Sequence, residues 1–533
     1  MLIVQDLAYA YPGRDGLFEH LSFSLAAHQK AALTGNNGTG KSTLLKIIAG
    51  TLRASAGSIQ ASAPPYYIPQ LAGNPGALTV AEALRISDQL SALEEILSGN
   101  VTDRHLAALN DDWLIAERSQ DALAQWGLHA IPLSQPMQTL SGGQQMKVLL
   151  AGLSVHRPEL VLLDEPANHL DGNGRKLLEN FLASSSATVL VVSHDRQLLN
   201  LLQPTLELDS RGITVYGGNY DFYAEQKCIE RNALKENLRD AEKELRKAKQ
   251  VSRETAERRQ RQDARGKKKQ QKEGLPTIAM NTFRNNAEKS TARLKDVHEE
   301  KIAGLSGTLQ ELRQQLPGAE KIRLEFDNAA FHPGKQLFRA TGINVDVNHA
   351  RLWKEDLDLS ISSGERIALK GANGAGKTTL LRILLGGQEP SRGSLQRTSL
   401  HRVFIDQEYS LLDPQLTVYE QAAAFNATGL QEHELKIRLH RFLFDAESWD
   451  KSCSALSGGE KMRLALCCLV IRQQAPDLLV LDEPTNNLDV QNVELLACAI
   501  HDYRGTVLVV SHDERFLEEL GITRTIVLEG KAD

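Results

Sequence analysis

The most regular run of apolar positions lies in the middle of the chain. Leu234, Leu238, Ala241, Leu245 and Ala248 follow one another at spacings of four and three, and Leu305, Leu309, Leu312 and Leu316 repeat the pattern beyond a Gly274-Leu275-Pro276 break. Residues three and four apart share one face of an α-helix, so the spacing predicts a helical hairpin over about 226–319 with its tip near the break. The flanking segments read differently. Short apolar runs such as Leu160–Leu163 in "LVLLDEP" and Leu478–Leu481 in "LLVLDEP" stop abruptly at acids. Such runs suit strands covered on both faces, and with helical stretches between them they predict an α/β fold built on parallel sheets.

The flanking segments are copies of each other. "LTGNNGTGKSTLLKIIAG" from Leu33 matches "LKGANGAGKTTLLRILLG" from Leu369, and the match continues in "LSGGQQMKVLLAGL" and "LSGGEKMRLALCCL", "LVLLDEPANHLD" and "LLVLDEPTNNLD", "TVLVVSHDRQLL" and "TVLVVSHDERFL". Four landmarks in one order define a repeated module, residues 1–225 and 320–533. Gly371 follows Gly35 by about 336 positions, whereas Ser457 follows Ser141 by only about 317. The first copy therefore holds roughly 20 extra residues between Gln70 and Ser141, and the leucines and acids of about 88–124 predict two short helices there, an arm.

Composition limits what the molecule can be. The chain has 533 residues, 41% of them hydrophobic and 24% charged, and a formal net charge of −6. That suits several globular domains, and no apolar run approaches the roughly 18 residues that span a bilayer. The start "MLIVQDLAYAYPG" lacks the basic flank of a secretory leader, so a cytoplasmic location is expected. Cys228, Cys453, Cys467, Cys468 and Cys498 form no CxxC pair and predict reduced, buried thiols. Against the negative total, Leu245 to Lys272 carries twelve basic and three acidic residues. Arg258, Arg259, Arg261, Arg265, Lys267, Lys268, Lys269 and Lys272 are candidate contacts for nucleic-acid phosphates, the plain alternative being a solvated charged helix. Met280 and Phe283 near the tip offer either a wedge against bases or a packing contact across the hairpin.

Each copy carries the residues of a phosphate-binding site. Gly35-Asn36-Asn37-Gly38-Thr39-Gly40-Lys41-Ser42-Thr43 and Gly371-Ala372-Asn373-Gly374-Ala375-Gly376-Lys377-Thr378-Thr379 follow an apolar strand and open a helix. Glycines let backbone N–H groups approach phosphate oxygens, Lys41 and Lys377 would reach the β and γ phosphates, and Ser42 and Thr378 would ligate Mg²⁺. Asp164 and Asp482 end strands at the sheet edge where ligands bind, and would contact the metal. Glu165 and Glu483, with the phosphate loop expected on an adjacent strand, are candidate bases for an attacking water.

These motifs, in this order and twice over, resemble those of ATP-binding cassette (ABC) ATPases. The resemblance implies ATP and Mg²⁺ as ligands and a head-to-tail sandwich within a monomer. In it, Ser141, Gly142, Gly143 and Gln144 of one copy, and Ser457, Gly458, Gly459 and Glu460 of the other, bind the γ phosphate held by the opposite copy. It further implies that Gln70 and Gln407 sense metal and water, and that His194 and His512 position the γ phosphate. "DEPANHLD", "DEPTNNLD" and "YGGNYDFYAEQK" at Tyr216 to Lys227 are similar to ABC-F sequences. That family implies a ribosome-binding ATPase whose linker reaches rRNA and tRNA near the exit site, acting in translation or in protection from antibiotics.

The chain departs from the family at Ala167, where threonine is usual. Tyr11 is the candidate adenine-stacking residue in the first copy, and "VDVNHARLW" in the second offers no aromatic at that place. The arm is short, and no DNA-binding tail is expected after "TIVLEGKAD". Two rival readings remain open at this level: the ATPase subunit of a membrane transporter, or an RNA- or DNA-binding assembly or repair factor.

Overall fold

The computed structural model describes residues 1–13, 16–71, 76, 78–209, 211–273, 299–312, 334–347, 350–486 and 488–529. They form two compact units, Met1–Phe222 with Lys321–Asp533, and Tyr223–Glu320.

In the first cassette a six-stranded sheet runs Pro65–Ile68, Leu160–Asp164, Thr188–Val192, Lys30–Thr34, Thr205–Asp209, Gly212–Tyr216. The first five strands are parallel and the last is antiparallel to its neighbour. In the second, Arg402–Ile405, Leu478–Asp482, Thr506–Val510, Arg366–Gly371 and Arg524–Leu528 lie in the same order, all parallel. Leu160–Asp164 and Thr188–Val192 are buried at every position, which explains their unbroken apolar runs.

The strand order corrects one expectation. The phosphate loop and the acids do not leave adjacent strands, because Thr188–Val192 lies between Lys30–Thr34 and Leu160–Asp164. The interposed strand is the one that leads to His194. Three loops thus meet at one sheet edge, and the same holds for Thr506–Val510 and His512.

Each cassette adds an antiparallel three-stranded sheet, Gly16–Leu25, Leu2–Ala10, Ala56–Ala61 in the first and Leu357–Ser362, Gln336–Asn344, Arg392–Arg397 in the second. Helix Lys41–Ile48 packs Leu44, Leu45, Ile47 and Ile48 into a core shared with Phe18, Leu21, Leu33 and Leu190. Helix Lys377–Leu384 does the same against Phe338, Trp353, Leu369 and Leu508. The helix that opens at each phosphate loop is therefore anchored from both sides.

Between Gln70 and Ser141 the first cassette has helices Val80–Ala83, Ser87–Leu97, Asp103–Leu109 and Ile115–Gln125. The second has two α-helices, Val418–Ala424 and Glu432–Arg441, in the matching stretch. The stretch 88–124 thus holds three helices where the pattern predicts two: the third takes the place of Glu432–Arg441, and the first two are the addition. Among the described residues no helix is long and apolar enough to cross a membrane.

The second unit is helical. Helix Tyr220–Glu273 has 54 residues, about 80 Å at 1.5 Å per residue, and a further helix covers 299–312. Leu234, Leu238, Ala241, Leu245 and Ala248 are all half-covered and Leu309 is buried. The helix starts at Tyr220 rather than near 226 because Tyr220 is itself a core residue. The break at Gly274 to Pro276, Met280, Phe283 and Leu316 lie outside the described residues.

One backbone crossing sets a sharp requirement. Gly57 has φ of 90°, and a Cβ there would stand 2.4 Å from the Asp6 carbonyl oxygen; Gly393 repeats this with φ of 78° and 2.3 Å to the Gly342 oxygen. Gly57→Ala must adopt the disfavoured backbone region and displace a paired strand, so we expect a loss of about 2 kcal/mol or more of stability, measured by denaturant unfolding. Unchanged stability would show that the strand gives way freely.

Candidate functional site

The phosphate loops bend through glycines. Gly38, Gly40, Gly374 and Gly376 all have positive φ, and Gly40 and Gly376 are the N-caps of the helices that follow. Nothing stands within 4 Å of a Cβ placed on Gly38 or Gly374, so this face of each loop is an open cradle of backbone. Lys41 Nζ donates to the Gly35 and Asn36 carbonyls at 2.7 and 2.9 Å, and Lys377 Nζ to those of Gly371 and Ala372 at 2.7 and 3.2 Å. Both ammonium groups sit inside the loop, and burial lowers their pKa despite the carboxylates nearby.

Ser42 Oγ donates to Asp164 at 3.0 Å and Thr378 Oγ1 to Asp482 at 3.4 Å. A hydroxyl and a carboxylate at the helix start are the hard oxygen donors that Mg²⁺ prefers, with phosphates and water completing its shell. Tyr67 also donates to Asp164 at 3.2 Å. Its counterpart in the second cassette is Phe404, which has no hydroxyl.

The glutamates are held in a costly conformation. Glu165 has φ of 51° and Glu483 of 49°, in the left-handed region, while their N–H groups still bond to the Val192 and Val510 carbonyls at 2.8 Å. The strand ladder continues one residue, and the chain then turns so that each side chain points back over the sheet edge. Strain of this kind costs about 1–3 kcal/mol and persists where the surroundings enforce it. Glu165 accepts from the His194 N–H at 3.3 Å, and its Oε1 lies 3.3 Å from His194 Nε2. Glu483 Oε1 lies 3.5 Å from His512 Nε2, which is 3.4 Å from Lys377 Nζ. Burial, with the lysine ammonium second, keeps both imidazoles neutral, His512 being lowered to about 4. Apart from that approach, Glu165 Oε1 and His194 Nδ1 are buried without a hydrogen-bond partner.

The cassettes meet through these loops. Asn37 N–H donates to Asp489 Oδ2 of the other cassette at 3.1 Å. Reciprocally, the Asn373 backbone bonds to Asp171 and its Nδ2 donates to the His169 carbonyl at 2.9 Å. Asp171 and Asp489 also cap the helices Gly172–Ser184 and Val490–His501. Gly143 approaches so closely that a Cβ there would stand 2.7 Å from Asn373 Nδ2. Ser141 and Ser457 cap their helices in reciprocal pairs with Gln144 and Glu460. Further contacts involve the helices after the histidines: Arg196 of one bonds Glu519 of the other at 2.5 Å, and Arg515 bonds Asp221, in the first turn of helix Tyr220–Glu273, at 2.8 Å.

Gln70 and Gln407 are exposed just past the outer strands, and Ala167 is buried. Tyr11 is 39% exposed and its hydroxyl is 2.8 Å from Thr43 Oγ1, at the mouth of the first phosphate loop. Val347, exposed, takes its place in the second. Trp353 is no substitute, since its ring is buried and its Nε1 donates to the Ala375 carbonyl at 3.0 Å. Arg258, Arg261 and Arg265 are exposed on the long helix. The side chains of Arg259, Lys267, Lys268, Lys269 and Lys272 lie outside the described residues. The sequence reading missed Asp171 and Asp489, although both end a matched motif, and Tyr67 and Arg175, which have no match and so gave no signal.

Burial raises Glu165 to about 8 and Glu483 to about 7 from an ordinary 4.5, with Lys41 and Arg175 respectively the first opposing charges. Between these values the folded chain holds more protons than the unfolded one, so stability falls as pH rises from about 5 to about 8. The Glu165→Gln/Glu483→Gln protein, free of nucleotide, should match the wild type near pH 4.5 and melt above it near pH 8.5. A constant offset at both would show that the glutamates ionise normally.

Comparison with known proteins places this geometry. The family model described as ABC transporter matches residues 18–168 and 354–486. The ATP-binding protein Uup of Haemophilus influenzae is 32% identical over 97% of this chain and 77% of its own. The tylosin resistance ATP-binding protein TlrC of Streptomyces fradiae is 32% identical over 94% and 92%, and the ABC transporter F family member 5 of Arabidopsis thaliana 28% over 99% and 74%. In the crystal structure of the archaeal ribosomal stalk protein aP1 with the recycling factor aABCE1, the matching chain has a TM-score of 0.59 at 22% identity over 99% of this chain and 88% of that one. With both cassettes matched, and with relatives aligned across nearly its whole length, the chain belongs to the ATP-binding cassette family and, within it, to the ABC-F proteins.

Proposed function

We propose that the chain hydrolyses ATP at two composite sites and that ATP closes it into a form that binds the ribosome. The observation that carries the first part is the reciprocal bond between each phosphate loop and the aspartate after the opposite DEP motif. In each site the loop amides and the lysine hold the phosphates. Ser42 with Asp164, and Thr378 with Asp482, would hold Mg²⁺, which neutralises phosphate charge as it develops. Glu165 or Glu483 takes a proton from water as its oxygen attacks the γ phosphorus, and the bond to the β–γ bridging oxygen breaks to leave ADP. Neutral His194 or His512 orients the γ phosphate. Ser141 to Gln144 and Ser457 to Glu460 close over it from the opposite cassette. Loss of the γ phosphate removes the contacts that hold the sandwich shut.

The ribosomal part rests on ABC-F membership and on the exposed arginines of the long helix. Cations along one long helix suit RNA phosphates and give salt-dependent affinity with little sequence preference. TlrC is named for tylosin resistance, which supports protection from an antibiotic as one role for this chain.

The Glu165→Gln/Glu483→Gln protein should bind ATP without hydrolysing it and pellet with ribosomes only when ATP is present. Replacing the cations from Arg258 to Lys272 by glutamine should cut that binding at least tenfold and flatten its dependence on salt. A protein that stays in the supernatant with ATP at every salt concentration would overturn the ribosomal reading. Pelleting with membranes instead would favour a transporter subunit.

A further inference from the structure

We propose that Arg175 is a positioning residue that wires the first ATP site to the second, and that the reverse path lacks such a link. The proposal rests on the composite sites argued above. Arg175 stands in the first turn of helix Gly172–Ser184, directly after the loop that carries His169 and Asp171. That loop is docked on the second cassette's phosphate loop through Asn373. From there Arg175 Nη1 reaches Asp195 Oδ2 at 2.5 Å, and its Nε donates to the Leu170 carbonyl at 3.4 Å. Asp195 immediately follows His194 of the first site, and its other oxygen caps helix Arg196–Asn200 through Gln197 and Leu198. The two side chains are 14% and 13% exposed, so the pair is poorly screened and its geometry is fixed.

One guanidinium thus holds together two loops that serve different nucleotides. A shift of His194 when the first γ phosphate arrives or leaves must move Asp195, and Arg175 carries that displacement to the loop seated on the second phosphate loop. Arg175 is also the first opposing charge on buried Glu483, so its field enters the second site directly.

The second cassette lacks the device. The residue at the place of Arg175 is Val493, 2% exposed, and Asp513, at the place of Asp195, caps its own helix through the Phe516 N–H at 2.9 Å. Asp489 still docks on Asn37, so the two cassettes share the contact and differ in the link behind it.

A double-mutant cycle tests the link, with turnover by the second site read in a Glu165→Gln background. His194→Ala should change that turnover about three- to tenfold while Arg175 is present, a coupling in the range of directly interacting groups. In Arg175→Met the same change should have no further effect, and Arg175→Lys should restore part of it. The mirror cycle, His512→Ala on first-site turnover in Glu483→Gln, should be additive with Val493→Ala. An equal effect of His194→Ala with and without Arg175 would overturn the link, even if Arg175→Met slows the enzyme uniformly. If Glu165→Gln alone abolishes all turnover, the reading of two independently hydrolysing sites has failed instead. The cycle is then run on dissociation of a fluorescent ATP analogue, where the same non-additivity decides about Arg175.

Discussion

The rest of the site depends on the bond from a phosphate-loop amide to an aspartate of the other cassette. A loop of backbone N–H groups is a concentration of partial positive charge, and Asp489 supplies a carboxylate to it on one side as Asp171 does on the other. The same carboxylates cap their own helices, so each is oriented before it meets the partner loop. A charge-assisted bond of this kind contributes roughly 1.5–3 kcal/mol. Two such bonds are a modest hold compared with a domain core. They bring the cassettes into register at the phosphate loops without the cohesion of a domain core.

Around that contact the enzyme invests strain where chemistry is needed. Left-handed backbone at Glu165 and Glu483, buried carboxylates and buried neutral imidazoles are each unfavourable in isolation. They are tolerated because the strands beneath them are fully buried and paired on both sides. Local cost at the sheet edge is offset by regularity below it.

Much of this was legible in the sequence because it is repeated. The matched loops, DEP acids and histidines mark the sites twice, and short apolar runs ending in acids are enough to imply parallel strands. Strand order was not legible, since periodicity says which residues are buried and nothing about which strands are neighbours. The strand between phosphate loop and acids therefore came only from the structure. Asp171 and Asp489 were visible as letters, but their role depends on another cassette distant in the sequence, 452 residues away for Asp489, and has no local signature. The arm showed the same limit. Leucine spacing marks helices, yet the third one is a feature both copies share, and only the second cassette's Glu432–Arg441 makes that plain.

What the repeat leaves unmatched is where the two sites differ physically. Tyr11 faces Val347, Tyr67 faces Phe404 and Arg175 faces Val493 in the correspondence of the copies. In the first site an aromatic ring stands at the mouth and an extra hydroxyl steadies Asp164. The signature of the second cassette carries Glu460. Burial would push its carboxyl up, but the Ser457 bonds and the Lys451 ammonium 3.0 Å away outweigh it and hold it ionised. The signature of the first cassette carries neutral Gln144 at that position. The two signatures thus differ by one negative charge, which in the second cassette is paired with Lys451. The two copies of one module thus differ at single side chains around an otherwise common frame.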